Sequence, residues 1–257
     1  MATPHHPHNI AHTDTHRISQ VPMTRPFIWL GKAWTDLLHH PGASLAYGAL
    51  TTALGGLILV YQHNPIFVAA LASGFLLVGP IITAGVCELS RCRDCGEPTD
   101  FQTSLKSLGR NRRGLIKVAQ TLLLLAILWF ALSAVFLQSA LGSFAPSLSS
   151  TVWGDVMRQV SSAHLGGYIL AGGGLSLVVF ALSVVTVPMI IDQHVDAGTA
   201  MRTSLRVTRR DFPAMLVWAI IITVLVAVGF AAWLVPMILL FPLLGHATWH
   251  AYRDLVH

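Results

Sequence analysis

The chain has 257 residues, of which 54% are hydrophobic and only 11% charged, with a mean hydropathy of +0.64. A soluble domain carries about a quarter charged residues, so a water-soluble globular fold is excluded and lipid contact must account for the deficit. The net charge of +5 then reads as a signal of membrane orientation and of attraction to anionic headgroups, not of nucleic-acid binding.

Residues 1–22 are polar and rich in histidine (His5, His6, His8, His12, His16). They contain no apolar core followed by a cleavage site, so a disordered cytoplasmic tail is expected in place of a signal peptide. Residues 23–257 are expected to form a single membrane domain. Its first span covers 44–61, and its second covers 66–88 after the polar turn Gln62-His63-Asn64-Pro65. A basic segment leads to a third span over 115–138, and a Ser-, Gly- and Pro-containing loop leads to a fourth over 165–191. The tract Ala214–Ala251 has 38 residues. One straight helix of that length would reach about 57 Å across a core of about 30 Å. Gly229, Pro236 and Pro242 offer breaks, so two spans over 214–231 and 235–250 are expected. One tilted span plus a re-entrant helix is the alternative.

With six spans, fifteen of the sixteen Lys and Arg fall on one face; Arg158 is the exception. The positive-inside rule then places both termini in the cytoplasm of a bacterial inner membrane. The segments Trp34–Gly42, Lys106–Gly114 and Arg206–Ala214 each give a short amphipathic stretch, a polar or basic cluster, a break and a span. The expected fold is therefore an all-α, polytopic membrane helix bundle of six transmembrane helices, built as three repeats of interfacial helix plus hairpin. Small residues at four-residue spacing (Gly48, Thr52 and Gly56; Ala70 and Gly74; Gly167 and Ala171) mark expected close helix contacts. Gly79-Pro80 is expected to kink the second span.

Few residues carry recognisable chemistry. Cys92 and Cys95 form a C-x-x-C, half of a tetrahedral zinc site or a redox pair, yet Cys87 is the one further cysteine. A reduced, incidental pair is expected. His246 and His250 stand one helical turn apart and could present two imidazoles to a metal or haem. With Trp249, Tyr252 and Arg253 beside them, an amphipathic end anchored at the headgroup boundary is the preferred reading. Glu88, beside Arg91, and Asp192 are placed at shallow, water-reachable depth. The spans lack a mid-membrane titratable group of the kind ion-coupled transport uses.

Phe27-Ile28-Trp29-Leu30-Gly31, Trp34-Thr35-Asp36-Leu37, Ser44-Leu45-Ala46-Tyr47-Gly48, Gly74–Pro80, Glu88-Leu89-Ser90-Arg91 and Gly245–Arg253 together resemble a bacterial family of integral membrane proteins catalogued as domain of unknown function 2189. The resemblance runs from Thr24 onward. It marks Gly79, Pro80, Glu88, Arg91, Gly245, His246, Trp249, His250, Tyr252 and Arg253 as signature positions, and implies a polytopic inner-membrane protein without an established activity. Some relatives bear a cytochrome oxidase subunit I label, which the scarcity of histidines within the earlier spans argues against. The expectation is a non-enzymatic interaction, assembly or membrane-organising component, without cofactor, touching anionic headgroups and a possible membrane-protein partner. The alternatives are a facilitated transporter of a small neutral solute and, more distantly, a metal- or haem-binding protein using His246 and His250.

Overall fold

The structure is a computed structural model that describes residues 18–60, 65–98, 100–141 and 161–256. In an apolar medium the backbone must satisfy its own hydrogen bonds, and long runs of Leu, Ala, Val and Ile do so as helices. The described residues form α1 (Arg25–His39), α2 (Pro41–Val60), α3 (Pro65–Asp94), α4 (Phe101–Arg110), α5 (Arg112–Leu141), α6 (Ser162–Ser183), α7 (Thr186–Gln193), α8 (Ala197–Arg210), α9 (Phe212–Ala231) and α10 (Met237–Leu255). Among the described residues, three stretches are long and apolar enough to cross a membrane: Arg112–Phe136, Ser162–Gln193 and Phe212–Ala231. The other expected spans fall on α2, α3 and α10. The histidines of the tail, the turn after the first span and Arg158 lie outside the described residues.

The last apolar tract divides where its glycine and prolines suggest. α9 stops at Ala231 and α10 begins at Met237, with Trp233 and Leu234 of the turn between them at positive φ. The fourth expected span, 165–191, is not one helix: it breaks at Val184–Val185 into α6 and α7. A break inside an apolar layer needs a substitute partner for the freed backbone groups. Ser204 of α8 supplies it, accepting from the Val185 N–H at 3.5 Å and donating to the Ala181 carbonyl at 2.8 Å.

Three shorter helices each end one residue before a long one. His40 separates α1 from α2, Asn111 separates α4 from α5, and Asp211 separates α8 from α9. Each separating residue returns its N–H to the helix it ends, to Asp36, Leu108 and Val207 respectively. The proline after His40 disfavours continuing helical geometry there. α4 and α8 both start on an Asp-x-x-Thr cap: Asp100 accepts from the Thr103 N–H and Asp196 from the Thr199 N–H. All three have two faces. α8 buries Ala200, Thr203, Ser204 and Val207 and exposes Arg202, Arg206, Arg209 and Arg210. α1 buries Trp29, Ala33, Asp36 and Leu37 and exposes Phe27, Trp34 and Leu38.

α10 is the hub, packed by α1, α2 and α3 and more lightly by α7 and α9. The approach of α2 is so close at Gly48 that a Cβ there would fall 1.9 Å from the Ile238 carbonyl oxygen. At Gly56, Gly167 and Ala171 the expected small-residue contacts are corrected. Gly56 faces open space, and Gly167 and Ala171 are exposed, because α6 instead turns Gly172 and Tyr168 toward Trp129 of α5. The expected contact at Ala70 and Gly74 falls on positions whose surroundings lie outside the described ones. α3 runs as an unbroken helix through Gly79 and Pro80. The two ends of the described chain meet: the Ser19 N–H donates to the Leu255 carbonyl at 3.1 Å, and Ile18 bridges to Val256.

Candidate functional site

α1 lays its buried stripe against α10 and the end of α3, and that stripe contains a carboxylate. Asp36 is 2% exposed, and a buried charge persists only with a full set of partners. Ser90 donates to Oδ2 at 2.6 Å, His250 Nε2 lies 2.9 Å from the same oxygen, and Arg93 pairs with Oδ1. Burial opposes the charge, yet the bonds from His250 and Ser90 and the nearby histidines outweigh it and hold the Asp36 carboxyl below its ordinary value.

The network continues through His246, which is 1% exposed. Its Nδ1 lies 2.7 Å from Ser90 Oγ and its Nε2 lies 2.9 Å from Ser44 Oγ. Ser90 has one hydroxyl proton and gives it to Asp36, so at His246 it must accept. A neutral His246 then carries its proton on Nδ1 and accepts from the Ser44 hydroxyl at Nε2. Ser44, His246 and Ser90 thus form a chain of donors running from the start of α2, through α10 and α3, to Asp36 on α1. Four helices are joined by one hydrogen-bonded path that ends on a carboxylate.

Around it, α10 ties down its neighbours with aromatic donors. Trp249 Nε1 donates to Asp94 at 2.7 Å, and the Tyr252 hydroxyl donates to Asp192 at 2.6 Å. Asp254 accepts from Arg25 at 2.6 Å and from Trp29 Nε1 at 2.8 Å. Burial again opposes charge at Asp254, and those two bonds with the charges of Lys32 and Arg25 lower its carboxyl below the ordinary value. Above Asp36 and His250 opens a polar pocket of about 710 Å³, lined by Lys32, Thr35, Asp36, Arg93, Asp94, His250, Arg253 and Asp254.

The C-terminal signature residues are therefore packing and network residues. His246, Trp249, His250 and Tyr252 are all buried, which overturns the expected headgroup anchor: α10 is surrounded by other helices and has no free interfacial side there. Arg253 alone is exposed, its guanidinium 6.0 Å from the Trp249 ring centre. Gly245 admits Val86, whose side chain would lie 2.7 Å from an added Cβ. The two imidazoles converge on Asp36 and two serines. Among the described residues no group of three or more His, Cys, Asp or Glu is placed to hold a metal ion.

The C-x-x-C lies elsewhere. Cys92 is buried, 3.6 Å from Glu88, and Cys95 is exposed. Glu88 is 2% exposed and takes two bonds of 2.9 Å from Arg91, so it is a buried ion-pair partner and not the water-reachable group expected. Asp192 does keep some solvent contact. Gly79 and Pro80 are remote in sequence from the pocket lining and contribute nothing to it. The sequence assigns no role to Asp36, Ser44 and Ser90, although they lie within the quoted motifs, and none to Arg93, Asp94 and Asp254. Asp36 had a legible signal: it shares the helical stripe of Trp29, Ala33 and Leu37.

Residues 67–192 match the model of a family described as a predicted integral membrane protein, domain of unknown function 2189. The matched stretch takes in Gly79, Pro80, Glu88 and Arg91, while the motifs before it and the C-terminal signature lie outside it. No curated protein and no solved structure matches the chain. The chain is an integral membrane protein with several apolar helices.

Proposed function

We propose that this protein is a non-enzymatic membrane-organising or assembly component of a bacterial inner membrane, crossing six times, with the short helices as its contact surface. The observation that carries this reading is α8. Its buried face fixes it to the bundle, while Arg202, Arg206, Arg209 and Arg210 occupy one exposed face at the ends of apolar helices. A stripe of guanidinium groups at that level suits anionic headgroups or an acidic membrane-protein partner. The recurrence of short helix, one-residue break and long helix at residues 40, 111 and 211 supports three repeated units. The pairing of residues 18 and 19 with 255 and 256 supports an even number of crossings, with both termini on the basic, cytoplasmic side. A facilitated transporter would need a polar cavity continuous between spans, and the pocket described above is instead lined from helix ends.

The test is gentle solubilisation and co-purification, comparing the native chain with a variant carrying Gln at residues 202, 206, 209 and 210. The expected result is a recurrent protein partner or an enriched anionic lipid that the variant loses while remaining folded. A native chain that comes out alone, or a variant that retains everything, overturns the reading.

A further inference from the structure

We propose that the pocket between α1, α3 and α10 is a binding site for a phosphate-type oxyanion, either a free phosphate or the headgroup of a phospholipid. The pocket shares no residue with the α8 arginine stripe and goes beyond the surface contact proposed above. Its eight lining residues are all polar or charged, three acidic and three basic besides His250 and Thr35. A simple charge count therefore predicts nothing, and the hydrogen bonds decide the matter.

The carboxylates are already engaged. Asp36 receives Ser90, His250 and Arg93; Asp254 receives Arg25 and Trp29; Asp94 receives Trp249. The cations are not comparably used. Among the described residues, Lys32 has one ion pair of 3.8 Å with Asp254, Arg253 has one of 3.9 Å with Asp192, and Arg93 engages Asp36 through one of its terminal nitrogens. An ammonium offers three N–H donors and a guanidinium five, so charged donors are left over at the rim, while Asp36 and Asp254 each already hold several donors and Asp94 is bonded by Trp249. That imbalance selects a ligand with several acceptor oxygens and negative charge, and guanidinium forks match phosphate geometry. Lys32 and Arg253 are half-exposed at the rim, free to move onto a ligand, whereas Arg93 is held by Asp36 beneath. The exposed apolar side of α1, with Phe27, Trp34 and Leu38, lies on the same helix as the rim residue Lys32. A phospholipid could therefore present its headgroup there, and a soluble phosphate could enter from water.

The experiment uses the full chain purified in detergent. Inorganic phosphate binding is followed by equilibrium dialysis, and retention of phosphatidic acid against phosphatidylcholine is followed by mass spectrometry of the intact complex. The variants are Lys32→Gln with Arg253→Gln, the single Lys32→Gln, and Lys117→Gln, an exposed position on α5 outside both the pocket and the α8 stripe, as a control. Saturable phosphate binding weakened about ten- to a hundredfold in the double variant, partly in the single and not at all in the control, supports a site open to soluble phosphate. Selective phosphatidic acid retention lost in the double variant, without uptake of inorganic phosphate, supports the lipid headgroup. Equal thermal unfolding of variant and native chains shows that either loss belongs to the site. Binding of neither probe by the native chain, or equal binding by a folded double variant, overturns the proposal.

Discussion

A single carboxylate, Asp36, fixes how four helices meet. Standing on α1, it takes partners directly from α3 and α10 and, through Ser44 and His246, from α2. Removing one member of a buried, hydrogen-bonded charge set leaves the others stranded, at a cost of about 3–5 kcal/mol. Asp36→Ala is expected to destabilise the protein by that order, measured as thermal unfolding in detergent, and Ser44→Ala by about 1 kcal/mol, because it deletes one neutral hydrogen bond. The pH dependence follows from the same group. Asp36 and Asp254 have folded-state values below 3.8, so between those values and 3.8 the unfolded chain binds more protons. Their stabilisation is complete above 3.8 and is lost as pH falls through the lower folded values. Acid unfolding should therefore steepen over that window in the native chain and less so in Asp36→Ala. The periodicity of α1 made Asp36 a stripe residue, but its partners lie 54 and 214 positions away, and pairings of that range leave no local pattern. His246 and His250 were singled out as a pair, correctly as to face, but a metal or an interface could not be told from a carboxylate without knowing what α1 brings.

Between elements, close approach is decided by a few positions and not by a motif. Gly48 has the Ile238 carbonyl where a side chain would stand, whereas Gly56, two helical turns on, faces open space. Gly48→Ala is expected to push α2 from α10 and cost about 1–3 kcal/mol, as overpacking does. Gly56→Ala should be neutral or slightly stabilising. Unfolding of the two variants side by side checks this, and equal losses would contradict the packing. A four-residue spacing marked both glycines alike, since sequence gives the period of a helix but not its rotation about its axis. The break between α9 and α10 was legible because glycine and proline act locally. The break between α6 and α7 was not, since it depends on Ser204 arriving from another helix.

At the scale of the molecule, composition and hydropathy were enough for the all-helical membrane class, and the family match over residues 67–192 agrees. The central position of α10 was not legible, because a helix carrying Trp, Tyr, His and Arg at its end reads equally as an interfacial anchor. Charge distribution, the three one-residue breaks and the meeting of the two chain ends combine into one architectural claim: six crossings, with the short helices and both termini on one side. Thiol labelling tests it most directly, using a chain whose Cys87, Cys92 and Cys95 are replaced by Ser and which carries a single cysteine at Lys106, Arg206, Val235 or Arg253. In right-side-out cells treated with an impermeant reagent, the account predicts labelling at position 235 and none at 106, 206 or 253 until the membrane is broken. Labelling at 253 with 206 protected would contradict it, showing that the last apolar tract crosses only once.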